Sequence, residues 1–142
     1  MIKIEIEGQA ELMKDFEQYE KEAQKALVQA TLIIANKVRN DSITRLKGGL
    51  GSAKHWITGR LQSSIHIQKK GDESYSYKDD NNQSFEGGIK TEIAVGEVIV
   101  GTNVEYAANI EFNKDSFLNY AAVRNAPKFK TELIRLLNKI KK

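Results

Sequence analysis

The sequence predicts an α+β fold, with a small, mostly antiparallel sheet of about four strands packed by one long helix and several shorter helices. Near the amino terminus, apolar and charged residues alternate with the period of two that a half-buried strand requires. Farther along, apolar residues recur every three or four positions, which is the period of a helix face. The length of 142 residues suits a single domain spanning 1–142, since a chain of this size can bury a core without metal or disulfide crosslinks.

The first strand is predicted over residues 1–8. Its isoleucines Ile2, Ile4 and Ile6 share one face, and Gly8 ends it. From residue 9 to 19 the period becomes helical. A longer helical pattern without Gly or Pro runs from Ala23 to about residue 46 and stops at the glycines of 48–49. Whether the two helical patterns form one helix or two is left open by the sequence.

The middle of the chain predicts two flexible loops and further strands. Residues 47–55 are rich in glycine and predict the first loop. Thr58 is expected to cap a short helix, which leads into a strand around residues 65–67. Residues 71–88 are polar and lack either period, so they predict a flexible loop or an extended hairpin tip. The β-branched runs 91–96 and 97–101, hinged at Gly96, predict two paired strands.

The carboxyl-terminal part predicts helices. Residues 104–112 form a short amphipathic pattern, and an apolar segment covers 117–123. Pro127 fits the first turn of a final helix, where its missing N–H does no harm. The apolar residues of that helix recur at helical spacing and are Phe129, Leu133, Leu136, Leu137 and Ile140.

The residues that could carry chemistry do not form a catalytic or metal-binding pattern. The chain has no cysteine, so thiolate zinc sites, iron–sulfur clusters and cysteine nucleophiles are excluded. Its two histidines, His55 and His66, have no carboxylate at ligand spacing. His66 alternates with two isoleucines and is expected on the polar face of a strand. The glycines of 48–51 lack phosphate-loop spacing. We therefore expect no enzyme activity, no cofactor and no metal site.

The charge is concentrated at the carboxyl terminus. The formal net charge is only +3, but residues 124–142 carry seven basic residues against Glu132 alone, giving +6 there and −3 on the rest. Such a surface suits DNA or an acidic protein partner. The longest apolar run is far below the roughly 20 residues that span a bilayer, and no targeting segment is visible. We expect a soluble protein made in a cytoplasm, without a membrane partner. The candidate contact residues of the basic segment are Arg124, Lys128, Arg135 and Lys139.

Two segments carry a resemblance to a known family. They are Thr-Gly-Arg-Leu-Gln-Ser-Ser-Ile at 58–65 and Val-Ile-Val-Gly-Thr-Asn-Val-Glu-Tyr-Ala-Ala-Asn-Ile-Glu-Phe at 98–112, followed by a final helix. In order and spacing, the chain resembles the head–tail joining proteins of long-tailed bacteriophages, also called tail-completion or neck proteins. The resemblance implies a non-enzymatic subunit of a ring, expected to be hexameric, that joins the tail-tube protein to the head-completion protein. It also implies a place in the virion close to packaged DNA, after assembly in the cytoplasm of the bacterial host.

The motif residues receive separate interpretations. Arg60 lies in the first turn of a short helix, where a basic residue opposes the helix dipole, so we expect a carboxylate partner within or between subunits. The other motif residues are expected to be structural, with Tyr106 and Phe112 in the core; they are Thr58, Gly59, Leu61, Gly101, Tyr106, Glu111 and Phe112. The alternative function is a basic accessory protein that binds nucleic acid through its carboxyl-terminal helix.

Overall fold

A computed structural model describes residues 2–5, 21–56, 58–88, 93 and 96–140. Within these ranges it has five helices and five strands, which confirms the α+β class with its one long helix. In chain order the elements are β1 (Ile2–Glu5), α1 (Lys21–Leu46), α2 (Arg60–Ser64), β2 (His66–Gln68), β3 (Tyr75–Lys78), β4 (Ser84–Gly87), β5 (Ile99–Thr102), α3 (Ala107–Asn113), α4 (Leu118–Asn125) and α5 (Lys128–Ile140). The helical pattern of 9–19, and its junction with the long helix, lie outside the described residues.

The main sheet has three strands in the order β1–β5–β2, and both pairings are antiparallel. Val100 of β5 stands opposite Ile4 on one side and Ile67 on the other. All four residues of β5 are buried, as expected for a central strand packed by helices. The strand predicted over 97–101 begins later, at residue 99. Most of its predicted partner over 91–96 lies outside the described residues.

A separate two-stranded sheet is formed by β3 and β4. The predicted alternatives for 71–88 were a flexible loop and a hairpin tip, and the segment forms a hairpin, with Tyr77 opposite Phe85 in its antiparallel register. The carboxylate of Asp79 closes the turn by accepting the backbone N–H groups of Asn81 and Gln83, at 3.0 and 2.9 Å. The polar residues that suggested a loop lie on the exposed face and at the turn.

The long helix α1 organises the core. It ends at Leu46, next to the glycines that predicted its end. Its buried face includes Leu27, Ile34 and Val38, and α4 and α5 both pack along it. On α5, which begins directly after Pro127, Leu136 packs against Ala26 and Ala30 of α1. No helix of the described ranges is long and apolar enough to cross a membrane.

The segment 47–55, predicted as a flexible loop, turns back on itself after α1. A backbone bridge joins Lys47 to Lys54, and the backbone N–H of His55 donates to the carbonyl of Leu46 at 2.8 Å. The buried Arg45 reaches into this turn and donates to the carbonyl of Leu50 at 2.6 Å. These bonds place Trp56, just beyond the turn, beside the hairpin.

Candidate interaction surfaces

The β3–β4 hairpin is attached to the segment Thr58–Ser64, which contains the Thr-Gly-Arg-Leu motif. At its tip, the backbone N–H of Asp80 donates to the carbonyl of Thr58 at 2.6 Å, and the indole N–H of Trp56 donates to the Asp80 carboxylate at 2.8 Å. At its base, the Tyr75 hydroxyl donates to the carbonyl of Ser64 at 2.7 Å. Both ends of the hairpin are therefore held by the same short segment.

Gly59 makes the close approach of the hairpin tip to this segment possible. Its φ of 74° lies in the left-handed region, which residues with a Cβ adopt only at a cost. A Cβ here would overlap the carboxylate of Asp80. The prediction that Thr58 caps the short helix is wrong. The capping position of α2 belongs to Gly59, without a side-chain capping bond, because the tip of the hairpin packs there.

Arg60 has its carboxylate partner within the same chain. Its two terminal nitrogens donate to the two oxygens of Glu105 at 2.9 and 3.1 Å, and its guanidinium lies 4.3 Å from the ring centre of Phe85. The hydrogen bond with Arg60 lowers the pKa of the Glu105 carboxyl, and the same bond raises the pKa of Arg60. Arg60 thus joins α2 to β4 and to the loop before α3. Its contact with a neighbouring subunit stays a prediction.

The aromatic side chains of the hairpin form a row of rings together with His66 of β2. The His66 ring stacks on Tyr75, with ring centres 3.8 Å apart, and Tyr77 stacks on Phe85 at 5.5 Å. Burial lowers the pKa of His66 and raises the pKa of Tyr75 to about 12. The expectation that His66 lies on a polar strand face is wrong, because the hairpin covers its ring.

Three of the motif residues occupy structural positions. Leu61 is buried in the main core together with Ile65. Gly101 is buried at the centre of β5, opposite Lys3 on one neighbouring strand and His66 on the other. Tyr106 is half-buried and packs against the same core.

Glu111 and Phe112 are adjacent in sequence but have opposite environments. The buried carboxylate of Glu111 accepts the backbone N–H groups of Phe117, Leu118 and Asn119 at 2.8–3.1 Å. It therefore caps the amino terminus of α4, where helix N–H groups lack partners within the helix. Phe112 is 75% exposed, so the prediction of a core position is wrong. The face of α3 that packs inward carries Ala107, Ile110 and Glu111, and Phe112 lies on the other side.

A histidine–carboxylate pair that the sequence did not predict lies near a surface cleft. The Nε2 of His55 is 2.7 Å from a carboxylate oxygen of Asp115, which also accepts the backbone N–H of Ala53. The hydrogen bond with His55 lowers the pKa of the Asp115 carboxyl. The cleft has a volume of about 350 Å³, and its lining includes two lysines together with His55, Trp56, Leu61, Tyr106 and Ile110. The 60 positions between His55 and Asp115 leave no local signal for the pair.

The basic residues of the carboxyl-terminal segment do not form one site. Arg124 pairs with Asp41 at 3.3 Å. Arg135 pairs with Glu132 at 2.9 Å. Lys128 donates to the side-chain carbonyl of Asn125, and Lys139 is exposed in the last turn of α5. In the part of the chain that the structure describes, no group of three or more His, Asp or Glu side chains could hold a metal ion.

Comparisons of the chain with protein-family models, with curated proteins and with solved structures find no match.

Proposed function

We propose that the chain is a structural, non-enzymatic subunit of the head–tail junction of a long-tailed bacteriophage. In this role it forms an oligomeric ring between the tail tube and the head-completion protein in the virion. The proposal starts from the resemblance carried by the segments 58–65 and 98–112. The structure supports it through the role of these segments in the fold. Segment 58–65 holds the hairpin, and segment 98–112 contains the central strand of the main sheet and most of α3.

The observation that carries the proposal is the attachment of the hairpin to Thr58–Ser64. Hydrogen bonds from Trp56, Tyr75 and Asp80 hold a small sheet that is separate from the main one. Since β3 and β4 form a two-stranded sheet within the described residues, each has an outer backbone edge. An ordered hairpin with such edges is suited to contact a neighbouring subunit at small entropic cost.

A second contact is supplied by Phe112. Its large apolar side chain is left outside the core, while Glu111 beside it fixes the connection from α3 to α4. Aromatic side chains are enriched in the centres of protein interfaces. We assign Phe112 to the contact with the tail-tube protein.

The experiment that tests this function combines the purified chain with tail tubes from the phage or prophage whose genome encodes it. Negative-stain electron microscopy should show a ring at one end of each tube, and portal, capsid and tail-tube genes should flank its gene. Tubes that remain bare at high protein concentration would contradict the proposal. The control is the same experiment with the Phe112→Ser variant, which we expect to bind more weakly.

The alternative function is binding of nucleic acid through α5. The exposed lysines of this helix favour it. It is weakened by the ion pairs that Arg124 and Arg135 already make within the chain. A gel-shift assay at two salt concentrations distinguishes the two functions, because phosphate contacts lose affinity steeply as salt rises. Tight, salt-sensitive binding without rings on tail tubes would favour the alternative.

A further inference from the structure

Two surfaces of opposite charge lie on different parts of the molecule. We define the acidic hairpin as residues 71–88, which contain five acidic residues against Lys78 and therefore carry a net charge of −4. We define the basic face as the exposed lysines of α5, Lys128, Lys130 and Lys139. The hairpin packs on α2, whereas α5 packs on α1. The two surfaces are thus placed to meet other molecules.

Each surface carries charges for which the described part of the chain supplies no ion-pair partner. Among the described residues, no ion pair involves Asp72 or Glu86 of the acidic hairpin or the three lysines of the basic face, and all five residues are exposed. By contrast, Arg124 and Arg135 have carboxylate partners within the chain. The unpaired charges are therefore complementary between the two surfaces.

A ring can form when two unlike surfaces of this kind pair between neighbouring subunits. In a head-to-tail interface, one surface of each subunit contacts a different surface of the next, and the ring closes if the rotation permits. Complementary charges also direct such encounters and disfavour wrong orientations. The acidic hairpin is held in place before binding by its bonds to Trp56 and to Thr58–Ser64, so little order has to be gained on association.

We propose that the acidic hairpin of one copy of this chain docks on the basic face of the next copy. This inference rests on the proposed ring function and names the surfaces that form the ring. Because the contact is largely between exposed charges, its affinity is low and few copies associate in dilute solution. The associated fraction rises when subunits are concentrated at a tail end.

Sedimentation velocity on the full chain tests the contact through charge reversal. The wild type should associate as its concentration rises, and less at about 500 mM salt than at about 50 mM, because screening shortens the range of the interaction. The hairpin-reversed variant carries Asp72→Lys, Glu73→Lys and Glu86→Lys, which changes the net charge of the hairpin from −4 to +2. The helix-reversed variant carries Lys128→Glu and Lys130→Glu, which changes the three lysines of the basic face from +3 to −1. We expect each variant alone to associate at least about tenfold more weakly, since like charges then face each other.

The decisive measurement is an equal mixture of the two variants. In the mixture, each reversed hairpin can meet a reversed helix and each unchanged hairpin an unchanged helix, so association should recover. Glutamate in the first turn of α5 is favourable for the helix, and circular dichroism checks that both variants fold. The matched control for the helix-reversed variant is Lys21→Glu with Lys25→Glu near the start of α1. It changes the net charge by the same −4 and should associate like the wild type.

The other outcomes overturn the inference in distinguishable ways. If the wild type associates and neither reversal weakens it, the ring uses other surfaces and the proposed function stands. If the helix-reversed variant does not associate and the mixture does not recover, the lysines contact a surface of the next copy other than the acidic hairpin, and the proposed pairing is wrong. If the wild type stays monomeric at low salt and high concentration, the charge contact does not exist, and electron microscopy of tail tubes decides the proposed function separately.

Discussion

The carboxylate of Asp80 occupies the space where any other residue at position 59 would carry its Cβ. Through this contact, the tip of the hairpin lies directly on the backbone before α2. The same carboxylate accepts the indole N–H of Trp56 at 2.8 Å. Gly59 is thus required both for its left-handed backbone and for the space it leaves.

Gly59→Ala should therefore destabilise the protein more than an alanine at another glycine of similar conformation. We expect a loss of about 1–2 kcal/mol for the left-handed conformation and about 1–3 kcal/mol more for the overlap with Asp80. Urea unfolding, monitored by circular dichroism, measures the loss in the free energy of unfolding. The matched control is Gly71→Ala, because Gly71 has a φ of 96° with no atom within 4 Å of its would-be Cβ. In the Asp80→Ala background, the cost of Gly59→Ala should fall to that of the control, and an unchanged cost would contradict the contact.

Glu111→Gln should destabilise the connection between α3 and α4. The carboxylate accepts three backbone N–H groups, and the amide of glutamine places its own donor group against them. We expect a loss of about 1–3 kcal/mol in the free energy of unfolding, the usual cost of an unsatisfied buried polar group. Glu86→Gln, at an exposed position of β4, is the control and should change stability by less than about 0.5 kcal/mol. Equal effects of the two substitutions would rule out the capping role.

The covered ring of His66 should make stability depend on pH. Burial lowers its pKa in the folded state below the ordinary 6.5, so near pH 6 the unfolded chain binds more protons than the folded chain. The stabilisation is complete above about pH 6.5 and is lost as the pH falls from there toward the folded-state pKa. Urea unfolding at pH values on both sides of 6.5 measures this loss.

His66→Phe is the control for the pH experiment, because it keeps an aromatic ring against Tyr75 without a titrating group. His55 is present in both proteins, so the difference between them isolates His66. The lowered pKa values of Glu105, Asp115 and Glu132 act only below their ordinary values of 4.5, 3.8 and 4.5. An equal loss of stability in both proteins between pH 7 and pH 6 would exclude His66 as its cause.

The helices could be predicted from the sequence better than the strands. For α1 and α5 the helical period is long and uninterrupted, and glycine or proline lies next to one end. The hairpin could not be assigned because only Tyr75, Tyr77 and Phe85 supply its buried surface, and polar residues separate them. Its stability depends on contacts with a segment that precedes it in sequence.

The sequence predicted which type of partner Arg60 has, but not which residue it is. The position of Arg60 at a helix start predicted a carboxylate partner, and that partner, Glu105, lies 45 positions away. Nothing local distinguishes Glu105 from the other acidic residues. Likewise, Phe112 ends an amphipathic pattern, and its exposure depends on the side of α3 that Ile110 and Glu111 bury. Pairings over such distances are set by the topology, which short-range patterns do not encode.

Phe112→Ser should separate binding from stability. Because the side chain is 75% exposed, the free energy of unfolding should change by less than about 0.5 kcal/mol, whereas binding to tail tubes should weaken at least about tenfold. Phe117→Ala removes a fully buried ring of the core and should instead cost about 3–5 kcal/mol in stability. Val123→Ser, at a position that is 67% exposed on α4, controls for the loss of any exposed apolar group. If Phe112→Ser and Val123→Ser bind tubes equally well, Phe112 does not contact the tail tube.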